Sequence, residues 1–155
     1  MNALIFILLL LCFFAIGYTS GNFLYAEIIS KKFCKTSLYD VGSKNPGSTN
    51  LARQTKSKKI ILFAFSLDVL KCYIPILLAA FIYRIIIKNT DLNLYTPCII
   101  YFAAIGALIG HCYPIKYLYT ILFKGGFKSP LVVHNHGGRG VACMAGIFLA
   151  LNPFF

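Results

Sequence analysis

Two short stretches of this chain carry residues suited to holding phosphate. The first is Gly42-Ser43-Lys44-Asn45-Pro46-Gly47-Ser48-Thr49-Asn50-Leu51-Ala52-Arg53. Glycines let backbone N–H groups approach an anion, Ser, Thr and Asn add short neutral donors, and Arg53 supplies a planar fork for phosphate or carboxylate. It is not a Walker A loop, because G-x-x-x-x-G-K-[ST] occurs nowhere in the sequence; the plainer alternative is a turn leading into a helix. The second stretch is split: Phe123-Lys124-Gly125-Gly126, then Gly137-Gly138-Arg139-Gly140-Val141-Ala142. Again glycines and cations precede an apolar helix, whose free N–H groups and dipole favour an anion. His134-Asn135-His136 lies between the halves, but one His-x-His without a third ligand makes no metal site.

Three further groups stand where lipid would reject them. Asp68 and Lys71 interrupt an apolar run and, three residues apart, share a helix face. Each costs about 2.5–3.5 kcal/mol at a bilayer centre, so both must find partners, either at the interface or in a cavity. His111 sits in Gly110-His111-Cys112-Tyr113-Pro114, where Pro114 kinks or ends the helix.

The elements that must position these residues are membrane helices. The 155 residues are 59% hydrophobic and 12% charged, with mean hydropathy +0.76, too greasy for a water-soluble domain. Fifteen Lys and Arg against four acids give a net charge of +11. No nucleic-acid motif accompanies that charge, so nucleic acid is not expected as a partner. The six cysteines form no C-x-x-C pair and read as small apolar residues, so neither a disulfide framework nor a metal is expected. Apolar runs cover about 3–29, 60–87 and 95–123, with a partial one at 141–155. The first lacks the basic start and cleavage site of a signal peptide. The expected fold is therefore all-α, a polytopic transmembrane helix bundle forming one membrane domain over 1–155. The basic loops 30–59 and 116–140 belong in the cytoplasm, the connection 88–94 outside, and the N-terminus outside. Gly17 and Gly21 put small residues on one face of the first helix, as Gly106 and Gly110 do on the third.

Taken together, these motifs resemble those of the bacterial membrane family of acyl-phosphate:glycerol-3-phosphate acyltransferases. The first stretch is similar to the family's G-S-x-N-x-G-[AST]-T-N-x-x-R signature. Asp68-Val69-Leu70-Lys71 with Pro75 resembles D-x-x-K-G-x-x-P, with Cys72 in place of glycine. Gly110 to Pro114 resembles G-H-x-[FY]-P, and the split second stretch resembles F-K-G-G-[KR]-G-V-A-T. Removing residues 127–138 restores that last motif, so they read as an insertion. Cys143 stands where Thr is usual, and the family's C-terminal H-R-x-N-I-x-R-L segment has no counterpart before Phe155, so a truncated chain is expected.

The resemblance implies transfer of a fatty acyl group from acyl phosphate to the 1-hydroxyl of glycerol 3-phosphate, giving lysophosphatidic acid. The implied setting is the cell inner (plasma) membrane, with the active face cytoplasmic, membrane lipids as neighbours and no cofactor. Ser43, Arg53, Lys71 and His111 take the catalytic roles. Asn45, Gly47, Thr49, Asn50, Asp68, Lys124, Gly137, Gly138, Arg139 and Gly140 take substrate-binding ones. The alternatives are an inactive truncated or disrupted copy, or a small non-catalytic transporter-like protein using Asp68 and Lys71 for ion coupling.

Overall fold

A computed structural model of the chain describes residues 3–88, 97–128 and 130–152. The described residues are helical, without strands. Helix α1 (Ala3–Gly21) is apolar all round, as a helix facing lipid must be. After a break at Asn22–Leu24 the chain re-enters helix as α2 (Tyr25–Ile29), which runs on through one π-helical stretch, Ser30–Cys34. A loop leads to α3 (Ser48–Gln54), then α4 (Lys58–Lys88). Helices α5 (Pro97–Cys112) and α6 (Ile115–Phe123) are set at 62° to one another, and two short 3₁₀ turns precede α7 (Val141–Leu151). The outer connection expected at 88–94 lies, beyond Lys88, outside the described residues.

Two stretches, Leu4–Cys34 and Lys58–Ile85, are long and apolar enough to cross a membrane; α5 and α6 become a third if the bent pair is one span. The run read as a single span over 95–123 is thus two helices. Pro114 has no N–H to continue the ladder, and Tyr113 and Pro114 form the corner. The break at Asn22–Leu24 has no proline; there Asn22 Nδ2 donates to the Tyr18 carbonyl at 2.6 Å, and its Oδ1 accepts from the Ile115 N–H at 2.6 Å. One side chain thereby closes the end of α1 and opens α6.

Helices α1 and α5 meet backbone against backbone. A Cβ added at Gly17 or Gly21 would strike the carbonyls of Ala103 or Ala107, and one at Gly106 or Gly110 those of Phe14 or Tyr18. In lipid, where apolar side chains gain nothing by leaving their surroundings, such close approach is what holds helices together. Helix α7 uses the same device on α4, with Gly146 against the Val69 carbonyl. Around these seams the core is built of small and medium residues: Phe13, Cys72, Ile76, Ala79, Ile99, Ala103, Ala107, Cys143 and Ile147. The outward faces carry Leu4, Leu8, Leu62, Phe63, Phe81 and Phe148, the surface expected of a chain solvated by lipid.

Candidate functional site

Pro75 lies inside α4 and cannot donate to the carbonyl of Lys71, four residues back. Ser20 Oγ fills the gap, donating to that carbonyl at 2.6 Å from the end of α1. One turn on, the break after α1 turns the Phe23 carbonyl inward, where it accepts from Lys71 Nζ at 2.5 Å. Lys71 Nζ is also 2.8 Å from Asp68 Oδ1 and 2.8 Å from His111 Nδ1. The ammonium is therefore surrounded by three acceptors supplied by α1's end, α4 and α5. Asp68, Lys71 and His111 are 2%, 4% and 3% exposed, so the cluster is sealed from lipid. The Asp68 Oδ1 contact is an ion pair without good hydrogen-bond angles.

An ammonium only donates, so His111 Nδ1 is the acceptor, and the neutral ring carries its proton on Nε2. That edge faces the second glycine stretch, since a Cβ at Gly138 would collide with Nε2. Gly138 N–H donates to the His111 carbonyl at 3.1 Å, replacing the Ile115 N–H that Asn22 has taken. Gly137 packs on the carbonyls of His111 and Cys112. Tyr39, from the first loop, donates its hydroxyl to the His136 carbonyl at 2.7 Å. Burial, then the charge of Glu27, pushes the Tyr39 phenol well above its ordinary value, so the hydroxyl stays a donor.

The first stretch is folded around Asn50. Its Nδ2 lies 3.0 Å from the Leu38 and Val41 carbonyls and 3.1 Å from that of Asn45, while Oδ1 accepts from the Ser43 N–H at 3.1 Å. Gly42, at φ +56°, has no Cβ to strike Asn50 Oδ1. Glu27 ties the same loop to α2, accepting from the Leu38 N–H at 2.7 Å and Ser37 Oγ at 2.8 Å. Asn50, read from sequence as a substrate contact, has its amide spent inside the loop.

The two stretches share one cavity of about 180 Å³. Ser43, Asn45, Gly47, Thr49, Asn50, Arg53, Asp68, His111, Arg139 and Gly140 all line it, together with Ser48, Val141 and Ala142. Gly140, at φ +78°, is the N-cap of α7, so the open N–H groups of that helix begin at the cavity wall. Arg53 and Arg139 are both exposed, and neither has an ion-pair partner among the described residues. The cavity thus brings together two exposed guanidiniums without ion-pair partners among the described residues, neutral donors, the His111 imidazole and the Asp68 carboxylate.

Of the expected site residues, Lys71 stands behind the cavity rather than in it, reaching it through Asp68 and His111. Gly137 and Gly138 lie against His111. Lys124 is elsewhere, at the C-terminal end of α6 with Nζ over the Tyr119 ring at 6.0 Å. Ser20, Asn22, Glu27 and Tyr39 join the site without any motif that singles them out. Only Ser20 has a legible cue, since Pro75 demands a foreign donor for the Lys71 carbonyl. Among the described residues no group of His, Cys, Asp and Glu is placed to hold a metal.

Comparison with known proteins bears on the chain as a whole. A sequence model of the glycerol-3-phosphate acyltransferase family matches residues 11–155. The glycerol-3-phosphate acyltransferase of Malacoplasma penetrans is 32% identical over 151 residues, covering 94% of this chain and 54% of that protein. Those of Mycoplasma mycoides subsp. mycoides and Neisseria meningitidis are 31% and 32% identical, each covering 90% of this chain and 46% and 58% of their own. This chain thus spans about half the length of the curated relatives it matches. No solved structure matches it. With the family model matching all but the first ten residues, this membrane chain belongs to the glycerol-3-phosphate acyltransferase family.

Proposed function

We propose that the chain carries the site for acyl transfer from a fatty acyl phosphate to the 1-hydroxyl of glycerol 3-phosphate, at the cytoplasmic face of the plasma membrane. The observation that carries this reading is the pairing of Arg53 and Arg139 over a single donor-lined cavity. Both reactants are phosphorylated, and unpaired guanidiniums bind phosphate bidentately. A groove of about 430 Å³, lined by Ala52, Ile61, Leu62 and Phe65, shares Ser48, Thr49, Val141 and Ala142 with the cavity, which gives a fatty tail a route to lipid.

The reaction on this reading needs no covalent enzyme intermediate. The glycerol hydroxyl oxygen bonds to the acyl carbon, the carbon–oxygen bond to phosphate breaks, and inorganic phosphate departs with the hydroxyl's proton. Charge builds on the carbonyl and on the leaving phosphate, and fixed positive groups lower that barrier. His111, protonated on Nε2, meets the substrates as a donor. Lys71 holds His111 in that tautomer and is a positioning residue.

An ion-coupled transporter fits the geometry less well. Lys71 lies behind the cavity, held by the Phe23 carbonyl and His111, and its ammonium already occupies the cation position beside Asp68.

The test is the full chain reconstituted in vesicles and given acyl phosphate with labelled glycerol 3-phosphate. Labelled lysophosphatidic acid should form, and Arg53→Ala should cut turnover roughly 100-fold or more with membrane insertion unchanged. Turnover indifferent to Arg53 refutes the phosphate role, and no product from the intact chain refutes the activity.

A further inference from the structure

Helix α6 has a use that acyl transfer does not explain. Ile115, Leu118, Tyr119, Leu122 and Phe123 fall on one face, while Lys116, Thr120 and Lys124 fall on the other. Ile115, Leu122 and Phe123 are 64%, 71% and 72% exposed, although α6 directly follows the apolar helix α5. The 62° bend opens a wedge of about 590 Å³ beneath it, lined by Phe14, Tyr18 and Ile109 opposite the apolar face of α6. Among the residues lining that wedge, the phenols are the only polar side chains. The stretch continues to Phe127, 74% exposed, and over 115–128 the sequence has Lys116, Lys124 and Lys128 and no acid. A buried anchor fixes the other side: Asn135 Nδ2 donates to Thr120 Oγ1 at 2.9 Å, and Thr120 is 2% exposed.

We propose that α6 with the turn to Lys128 is a docking surface for anionic phospholipid. Acyl chains fill the wedge beneath α6, and the headgroups lie against Lys116, Lys124 and Lys128. An apolar face over a ring of lysines is what holds a helix in the plane of a charged interface. The surface lies apart from the arginine-rimmed cavity, and the proposal stands whether or not that cavity transfers acyl groups.

The chain has no tryptophan, so a single one reports without interference. Phe123→Trp and, separately, Tyr117→Trp on the opposite face are placed in the full chain and reconstituted in phosphatidylcholine vesicles containing phosphatidylglycerol. Brominated acyl chains are carried on one lipid or the other. The indole replacing Phe123 should be quenched strongly, and that replacing Tyr117 weakly. At equal amounts, brominated phosphatidylglycerol should quench the Phe123→Trp variant roughly fivefold more than brominated phosphatidylcholine. Adding K116Q, K124Q and K128Q together should bring that ratio to about one. Leu122→Trp repeats the test if Phe123→Trp inserts poorly. Equal quenching by the two lipids overturns the proposal. So does an indole shielded from both, which would put protein, a second copy or another segment, over the wedge.

Discussion

Lys71 illustrates how far a residue's type falls short of its role. Its charge and the proximity of Asp68 are visible in the sequence as an i,i+3 pair, but two of its three acceptors, Phe23 O in the break after α1 and His111 Nδ1 on α5, come from far away along the chain. A buried ammonium paired with a buried carboxylate resists removal, because its loss strands the carboxylate. Lys71→Met should therefore destabilise the folded chain by about 3–5 kcal/mol, read by denaturation in detergent, whereas Lys71→Met with Asp68→Asn should recover most of that loss. Equal losses in the single and double variants would show that the pair is not coupled. Asn50 makes the converse point. Its position in a phosphate-like loop suggests contact with substrate; it lines the cavity, while its amide bonds to Leu38, Val41, Asn45 and Ser43. A motif displays donors, and only the fold tells which ones remain unspent.

Element positions are partly written in the sequence. Apolar runs announce α1, α4 and α5, and Pro114 announces the corner between α5 and α6. The break at Asn22–Leu24 is hidden, because hydropathy stays high across it and the disrupting force is tertiary: Asn22 bonds to Ile115 and Phe23 to Lys71. Gly17, Gly21, Gly106 and Gly110 are legible as small faces, yet spacing alone gives no partner for either pair. Their mutual contact makes a sharp prediction. Gly17→Ile forces its side chain into the Ala103 carbonyl and must part α1 from α5. We expect loss of the folded state in detergent, measured as heat-induced aggregation or proteolysis at far lower temperature. Truncation on the lipid side has no such effect: Leu8→Ala, on the exposed face of α1, is the control and should be near neutral.

At the scale of the whole molecule, both basic loops must lie on one side, since Tyr39 reaches His136 and the cavity draws on both. In a chain whose six cysteines are replaced, Lys35→Cys and Lys128→Cys should react with an impermeant maleimide from the same side of sealed vesicles, and that side should be the cytoplasmic one. Reaction from opposite sides would break the site apart. The glycine seam has a mechanical consequence as well. Two helices in main-chain contact have no compliant side chains between them, so α1 and α5 can neither roll nor slide past one another. Any breathing that admits a bulky guest is left to the other rim, where Arg53 on α3 stands exposed; α7, held on α4 through Gly146, belongs with α1 and α5 to the fixed jaw of a vice, and α3 is the moving one.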